Sequence, residues 1–399
     1  MYDIHPGNGN GNGDSNGNGN GNGYLIGDVN GNDLDIIAHF GDDYENHNDA
    51  VILPVYLTSL HVTPKSELDG PPRKYAYGRA SNPTTELLEK KIAALEHADR
   101  AIAFSSGMAA ITSCLLANLA AGDHAIMVDT AYGQATRFMT DHLSKFGVET
   151  TLVPGDDIAQ FRDARKPNTK VIYLESPSSF YFNIQDIRAV AAFAKERGIV
   201  TMIDNTWATP LYQKPLDLGI DISIHSVSKY IGGHSDIIGG IASSNNAMID
   251  KIFYIRLHYG GILGAMEAWL AIRGLRTMPQ RIRDQGRSAL ILARRLEAHP
   301  KVKRVLHPGL ESHPQHVLAK SQMSGFTSPF AVELACGIDE AKGFIKRLKY
   351  FSYGPSWGGF ESLTSWVYGP GAIVRLHVGL EDVESLYADL ESSLGQIQI

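Results

Sequence analysis

Lys229 follows Ser226 and Ser228 at the end of the apolar run DISIHS (221–226), and Asp204 closes a second run, IVTMID (199–204). A lysine amine can condense with an aldehyde. A carboxylate set against a pyridine nitrogen keeps that nitrogen protonated, and the protonated ring then withdraws electrons from a carbanion at a neighbouring substrate carbon. The turn FSSGM (104–108) supplies a third part. Gly107 lets the backbone approach closely, and the N–H groups of Gly107 and Met108 would open a helix, whose unpaired donors and positive dipole end suit a phosphate. Ser226 and Ser228 add hydroxyl donors beside it. These groups describe a site for an anionic, aromatic, carbonyl-bearing cofactor. Each also has an ordinary reading: a solvated surface lysine, an aspartate that caps a helix, a plain turn. The argument rests on their joint order.

The elements that must position these residues follow from hydrophobic spacing. Thr85–His97, Met108–Ala120 and Ile187–Glu196 have helical spacing, and the runs AIMV (125–128), VIYL (171–174), IVTMID and DISIHS read as strands between helices. This alternation predicts an α/β fold: a large, mostly parallel sheet with helices on both faces. Ligands bind at the carboxyl ends of the strands in such sheets, where Asp204, Ser226 and the pair Glu175–Ser176 fall. Arg287–Ala298 reads as a long amphipathic helix. Phe330–Leu334, Ala372–Val378 and Val383–Leu390 then read as strand, strand, helix, a smaller α+β C-terminal domain. The predicted divisions are a flexible Gly/Asn-rich tail (1–34), an extended Pro- and Tyr-rich arm (35–79), the α/β domain (80–276) and the C-terminal domain (277–399).

Composition excludes several classes. Among 399 residues, 43% are apolar and 20% charged, the balance of an ordinary globular protein. A net charge of −7 argues against nucleic acid or an anionic membrane as partner. Two cysteines, Cys114 and Cys336, without CxxC spacing, argue against a disulfide framework and a zinc site. No apolar run approaches the ~18 residues of a membrane span, and no secretory signal pattern is visible. The expected location is cytoplasmic, with no metal.

Eight segments carry a family resemblance: YAYGRASNPTTELLE (75–89), SSGMAAI (105–111), DTAYG (129–133), ESPSS (175–179), DNTWATP (204–210), HSVSKYIGGHSD (225–236), SWGGFESL (356–363) and RLHVGLEDV (375–383). In them, from about Val51 to Leu390, the chain resembles the Cys/Met-metabolism enzymes that depend on pyridoxal 5′-phosphate (PLP). The resemblance implies the type I fold of PLP-dependent transferases and a PLP cofactor bound covalently by Lys229. It implies that Asp204 pairs with the pyridinium nitrogen and that Gly107, Met108, Ser226 and Ser228 bind the phosphate. It also implies that Tyr132 stacks on the cofactor ring and takes part in catalysis, and that Arg375 forks onto the substrate α-carboxylate with Ser356 in the loop beside it. Tyr77 and Arg79 match the pair that reaches the phosphate of a neighbouring subunit. An arm bearing them is useful only if something orders it, and a neighbouring subunit would make the active site a property of the dimer. The resemblance implies a homotetramer built from two such dimers.

The expected substrate is a sulfur amino acid. Trp207, Trp357 and the ending RLHVGLEDVESLYADL resemble cystathionine β-lyase, and ESPSSFYFNIQD lacks the Asn-Pro usual in the γ-acting enzymes. Pro355 stands where γ-lyases commonly carry Glu. Ser228 stands in place of the usual Thr, and Gln134 and Ala135 in place of Gly-Thr. The expectation is β-elimination of L-cystathionine to homocysteine, pyruvate and ammonia. The alternatives are a γ-acting relative (cystathionine γ-synthase, γ-lyase or a methionine γ-lyase-like enzyme) and a catalytically idle paralogue that binds PLP. Among other candidates, His307, His313 and His316 read as a solvated loop, His225 and His234 as structural, and Cys114 as packed in a helix. Trp366 and Tyr368 read equally as substrate entrance or as core.

Overall fold

The computed structural model describes residues 31–71, 73–367 and 371–398. The Gly/Asn tract up to residue 30 and Tyr368 lie outside the described residues. Seven strands form the larger sheet: β1 (Arg100–Phe104), β2 (His124–Val128), β3 (Glu149–Val153), β4 (Thr169–Glu175), β5 (Val200–Asp204), β6 (Ile222–Ser226) and β7 (Gly240–Ser244). Their order is β1-β7-β6-β5-β4-β2-β3. Only β7 runs antiparallel to its neighbours, so β1, β4, β5 and β6 end on the same edge. Val171, Ile172 and Leu174 of β4 and Ile203 of β5 are completely buried, as strands covered on both faces must be.

The helices are α1 (Gly31–His39), α2 (Pro83–Leu95), α3 (Gly107–Leu116), α6 (Ile187–Lys195), α8 (Asn246–Tyr259), α9 (Ala265–Glu297), α10 (His316–Gln322), α11 (Ile338–Arg347) and α12 (Val383–Gly395), with the short helices α4 (Gly133–Arg137), α5 (Ile158–Ala164) and α7 (Thr209–Tyr212). Their starts are fixed locally. Asn82, Ser106, Asp157, Asp186 and Asn245 each accept a backbone N–H in the first turn of the helix that follows. The second sheet has the order β10-β11-β12-β9-β8, with β8 (Val302–Leu306), β9 (Phe330–Leu334), β10 (Ser352–Tyr353), β11 (Leu363–Trp366) and β12 (Ile373–His377). Its inner face packs Phe330, Val332, Val374 and Leu376 against Leu292 and Leu296 of α9 and Leu386 and Leu390 of α12.

Two boundaries differ from the sequence reading. The tail was expected to run to residue 34 and the arm to be extended from 35, but α1 spans Gly31–His39. Its Asp33 is fully buried and pairs with Lys214 Nζ at 2.8 Å. Lys91, also fully buried, donates to the carbonyls of Ile36 and Ile37 at 3.4 and 3.3 Å. Tertiary ion pairing holds this helix, and local spacing does not reveal such pairing. The predicted division at residue 277 falls inside α9, a continuous helix of 33 residues. Its length was hidden by Gly274, Pro279 and Gly286. Gly274 and Gly286 are packing positions: a Cβ would stand 2.1 Å from the Gly232 carbonyl oxygen at the first and 2.3 Å from that of Phe326 at the second.

Candidate active site

The carboxyl ends of β4, β5 and β6, the start of α3, and one loop and strand β12 of the C-terminal domain enclose a cavity of about 490 Å3. Gly107 and Met108 line it from α3, Asp204 from β5, and Ser226, Ser228 and Lys229 from the turn after β6. Tyr132, Ser356 and Arg375 close it from the other sides.

One end of the cavity presents hydrogen-bond donors. Ser106 caps α3 by accepting the Ala109 N–H at 3.0 Å, and the amides of Gly107 and Met108 begin the helix, where no intrahelical carbonyl is available to them. A Cβ on Gly107 would lie 3.1 Å from Ser226 Oγ, so glycine lets the helix start directly against that hydroxyl. Ser226 in turn is held by its own N–H, which donates to Thr206 Oγ1 at 2.8 Å. The Ser228 hydroxyl accepts from the Gly239 N–H at 3.0 Å and faces the Gly239 carbonyl at 3.3 Å.

At the strand ends, Glu175 and Asp204 are register partners on adjacent parallel strands. Burial and their mutual repulsion push the Glu175 carboxyl above the usual range, and burial pushes Asp204 up as well, against the bonds from Thr206 and the nearby His225 and Lys229. Thr206 binds Asp204 Oδ1 through its N–H at 3.0 Å and through its hydroxyl. Glu175 accepts the Tyr132 N–H at 2.6 Å, the Ser179 N–H at 2.7 Å and the Ser179 hydroxyl. Two buried carboxylates side by side call for a cation. A protonated ring nitrogen at Asp204, with its phosphate at the α3 start, fits both the acidic and the donor-rich end of the cavity.

Lys229 Nζ donates to Ser356 Oγ at 2.7 Å and lies 5.6 Å from the Trp357 ring centroid. Burial first, then the Arg375 cation, lowers its amine from 10.5 to about 8, with Asp204 opposing. Arg375 is buried and its guanidinium is lowered to about 10, chiefly by burial. Among the described residues its hydrogen bonds are long, 3.4 Å to the carbonyls of Ser179 and Ser356, which leaves its donors able to receive an anion. Tyr132 keeps 40% of its surface exposed at the rim.

Tyr77 and Arg79 are not brought to this cavity within one chain. The Arg79 guanidinium lies 5.5 Å from the Tyr77 ring centroid, donates to the Leu257 carbonyl at 2.5 Å, and opens on a separate depression beside Glu89 and Arg256. The histidine loop was expected to be solvated and is not: His307, His313 and His316 are buried. Burial lowers His307 to about 3 and His313 to about 4. The Nδ1 atoms of two of them are used at close range, His307 Nδ1 accepting from Gly309 N–H at 2.9 Å and His316 Nδ1 donating to the Pro308 carbonyl at 2.8 Å. The prolines that marked a loop also fold it inward. His225 pairs with buried Glu96, Cys114 is fully buried in α3, and Trp366 packs on the C-terminal core. Trp207 lines the cavity while its Nε1–H anchors to the Pro329 carbonyl at 3.0 Å. Sequence reasoning missed the parts played by Glu175 and Phe180; the one available signal was the placement of Glu175 at a strand end beside that of Asp204. Among the described residues, no group of His, Cys, Asp and Glu is arranged to hold a metal, and no helix is long and apolar enough to cross a membrane.

Residues 35–368 match the family described as Cys/Met metabolism PLP-dependent enzyme. The chain belongs to that family. It is 39% identical to an L-methionine gamma-lyase of Fusobacterium nucleatum subsp. polymorphum, covering 86% of this chain and 93% of that one. It is 37% identical to a cystathionine beta-lyase of Coxiella burnetii, covering 90% and 96%. Its fold matches the crystal structure of metB from Corynebacterium glutamicum with a TM-score of 0.88 at 33% identity, covering 92% of this chain and 98% of that one. PLP is therefore the cofactor of this trans-sulfuration family member, and the fold is the one expected for it.

Proposed function

We propose that the protein is a carbon–sulfur lyase that cleaves L-cystathionine by β-elimination, yielding homocysteine, pyruvate and ammonia. The observation that carries this reading is Pro355. It lines the cavity immediately before Ser356 and places no titratable group there, whereas a γ-acting enzyme must also manage proton removal from Cβ. When bound, PLP supplies an electron sink for a carbanion at the substrate Cα. Arg375 binds the α-carboxylate and presents Cα toward Lys229. Lys229 Nζ takes the Cα proton; its lowered pKa leaves a useful fraction neutral near physiological pH. Ser356 Oγ holds that nitrogen in place, Asp204 keeps the ring-nitrogen proton, and Tyr132 covers one face of the site.

A γ-acting reading is favoured by the 39% identity to a methionine gamma-lyase. Chromatographic identification of the keto acid released separates the two. Pyruvate from L-cystathionine is the expected product, and 2-oxobutyrate in its place would overturn the β-lyase reading.

The reading includes a cytosolic setting and a site completed by a second copy of the chain, with Tyr77 and Arg79 reaching its phosphate within a tetramer made of two dimers. The arm supports this: Val51, Leu57, Val62 and Leu68 are each more than 70% exposed (73%, 72%, 77% and 79%), apolar surface that association would cover.

A further inference from the structure

The Ser179–Phe180 turn sits where the carboxylate-binding arginine needs support. Arg375 is buried, and its two hydrogen bonds are long, 3.4 Å to the Ser179 and Ser356 carbonyls. Two weak in-plane contacts do not fix the tilt of a planar guanidinium. Phe180 provides what they lack: its ring centroid lies 5.0 Å from Arg375 Cζ, within the range of a cation–π contact. The ring also lines the cavity and packs on the buried cluster around Phe182 and Trp207. The turn is itself anchored, because Glu175 receives both the N–H and the hydroxyl of Ser179. The chain of support therefore runs from the end of β4, through Ser179 and Phe180, to the face of Arg375.

We infer that Phe180 is a positioning residue for carboxylate recognition: its ring holds the Arg375 guanidinium in the orientation that receives the substrate α-carboxylate. This rests on the assignment of Arg375 to the carboxylate and is independent of which carbon–sulfur bond is broken. Phe180 meets Arg375, which binds the carboxylate, and reaches Lys229 only through it, so its loss raises KM more than it lowers kcat. A cation–π contact in a desolvated site corresponds to an affinity change of about tenfold.

The test uses the PLP-loaded enzyme and two probes, L-alanine and ethylamine, which share an amine that can meet the cofactor and differ in the carboxylate. Each is titrated by the change in cofactor absorbance. In Phe180→Leu, L-alanine binding weakens about tenfold, ethylamine binding stays unchanged, and KM for the turned-over amino acid rises by a larger factor than kcat falls. Phe180→Tyr keeps an aromatic face and restores L-alanine binding. Equal weakening of both probes would reveal a merely structural role and overturn the inference, as would unchanged L-alanine binding. Arg375→Lys isolates the underlying assignment: undiminished L-alanine binding in that variant removes Arg375 from the carboxylate and the inference with it. The product assay for β- or γ-elimination is read separately and can fail without affecting these titrations.

Discussion

Gly358 lies against the main chain of Lys229: a Cβ on Gly358 would stand 3.0 Å from the Lys229 carbonyl carbon and 3.1 Å from its Cα. Gly358 also has φ of +86°, which side chains seldom tolerate. The C-terminal loop bearing Ser356 thus presses on the lysine it supports. Gly358→Ala is expected to cost about 1–3 kcal/mol of stability and, by displacing Ser356, to reduce kcat/KM by ~10-fold or more. Urea unfolding and steady-state kinetics read the two effects; a variant unchanged in both would refute the close-packing argument.

The titration of Lys229 is measurable in the apoenzyme. Burial and the Arg375 cation disfavour its charged form, so the amine is half neutral near pH 8 where an ordinary lysine requires 10.5. The folded chain binds this proton less tightly than the unfolded chain, so this residue's contribution to stability improves as pH rises from about 8 toward 10.5 and is flat below 8. Amine labelling at Lys229, followed by peptide mass spectrometry across pH, should show its midpoint near 8. Arg375→Gln removes a neighbouring cation and should move the midpoint upward. A midpoint matching surface lysines would contradict the burial argument.

The shared-site proposal predicts complementation. Lys229→Ala and Arg79→Ala are each expected to abolish most activity as pure oligomers. Mixed after dissociation and reassembly, they form hybrids with one intact site in two, restoring up to about a quarter of wild-type activity. No recovery in verified hybrids would place Arg79 outside the partner's site.

Helix α1 depends on a buried ion pair. Removing Lys214 strands the Asp33 carboxylate, whose side chain is 1% exposed, so Lys214→Met should lower the opening free energy of residues 31–39 by about 3 kcal/mol. Hydrogen exchange of those amides checks this; unaltered protection would mean that apolar packing of Ile36 and Ile37 suffices.

Much of the site was legible because its residues end strands that are buried on both faces. Apolar runs announced β4, β5 and β6, and the chemistry follows each run within three residues at Glu175, Asp204 and Lys229. Strand β7 was not legible. Its sequence GIASS has small residues because the Ser106 turn passes so close that a Cβ on Gly240 would stand 2.2 Å from the Ser106 carbonyl oxygen. Strand β3, ETTLV, is an edge strand with little apolar patterning. Phe180 escaped notice for another reason: its contact with Arg375 joins residues far apart in the chain, and no local spacing encodes that.

The unbroken course of α9 through 33 residues bears on how the protein comes to be made. At 1.5 Å per residue it is a strut of roughly 50 Å, shared by both layers, with no hinge of loop between them. Lys229 belongs to the part synthesised first, while Ser356 and Arg375 follow it off the ribosome by more than a hundred residues. A nascent chain can therefore display its reactive amine well before it can select a substrate. Splitting the protein at the helix, for expression as two fragments, would divide the one rod on which both halves of the site are mounted.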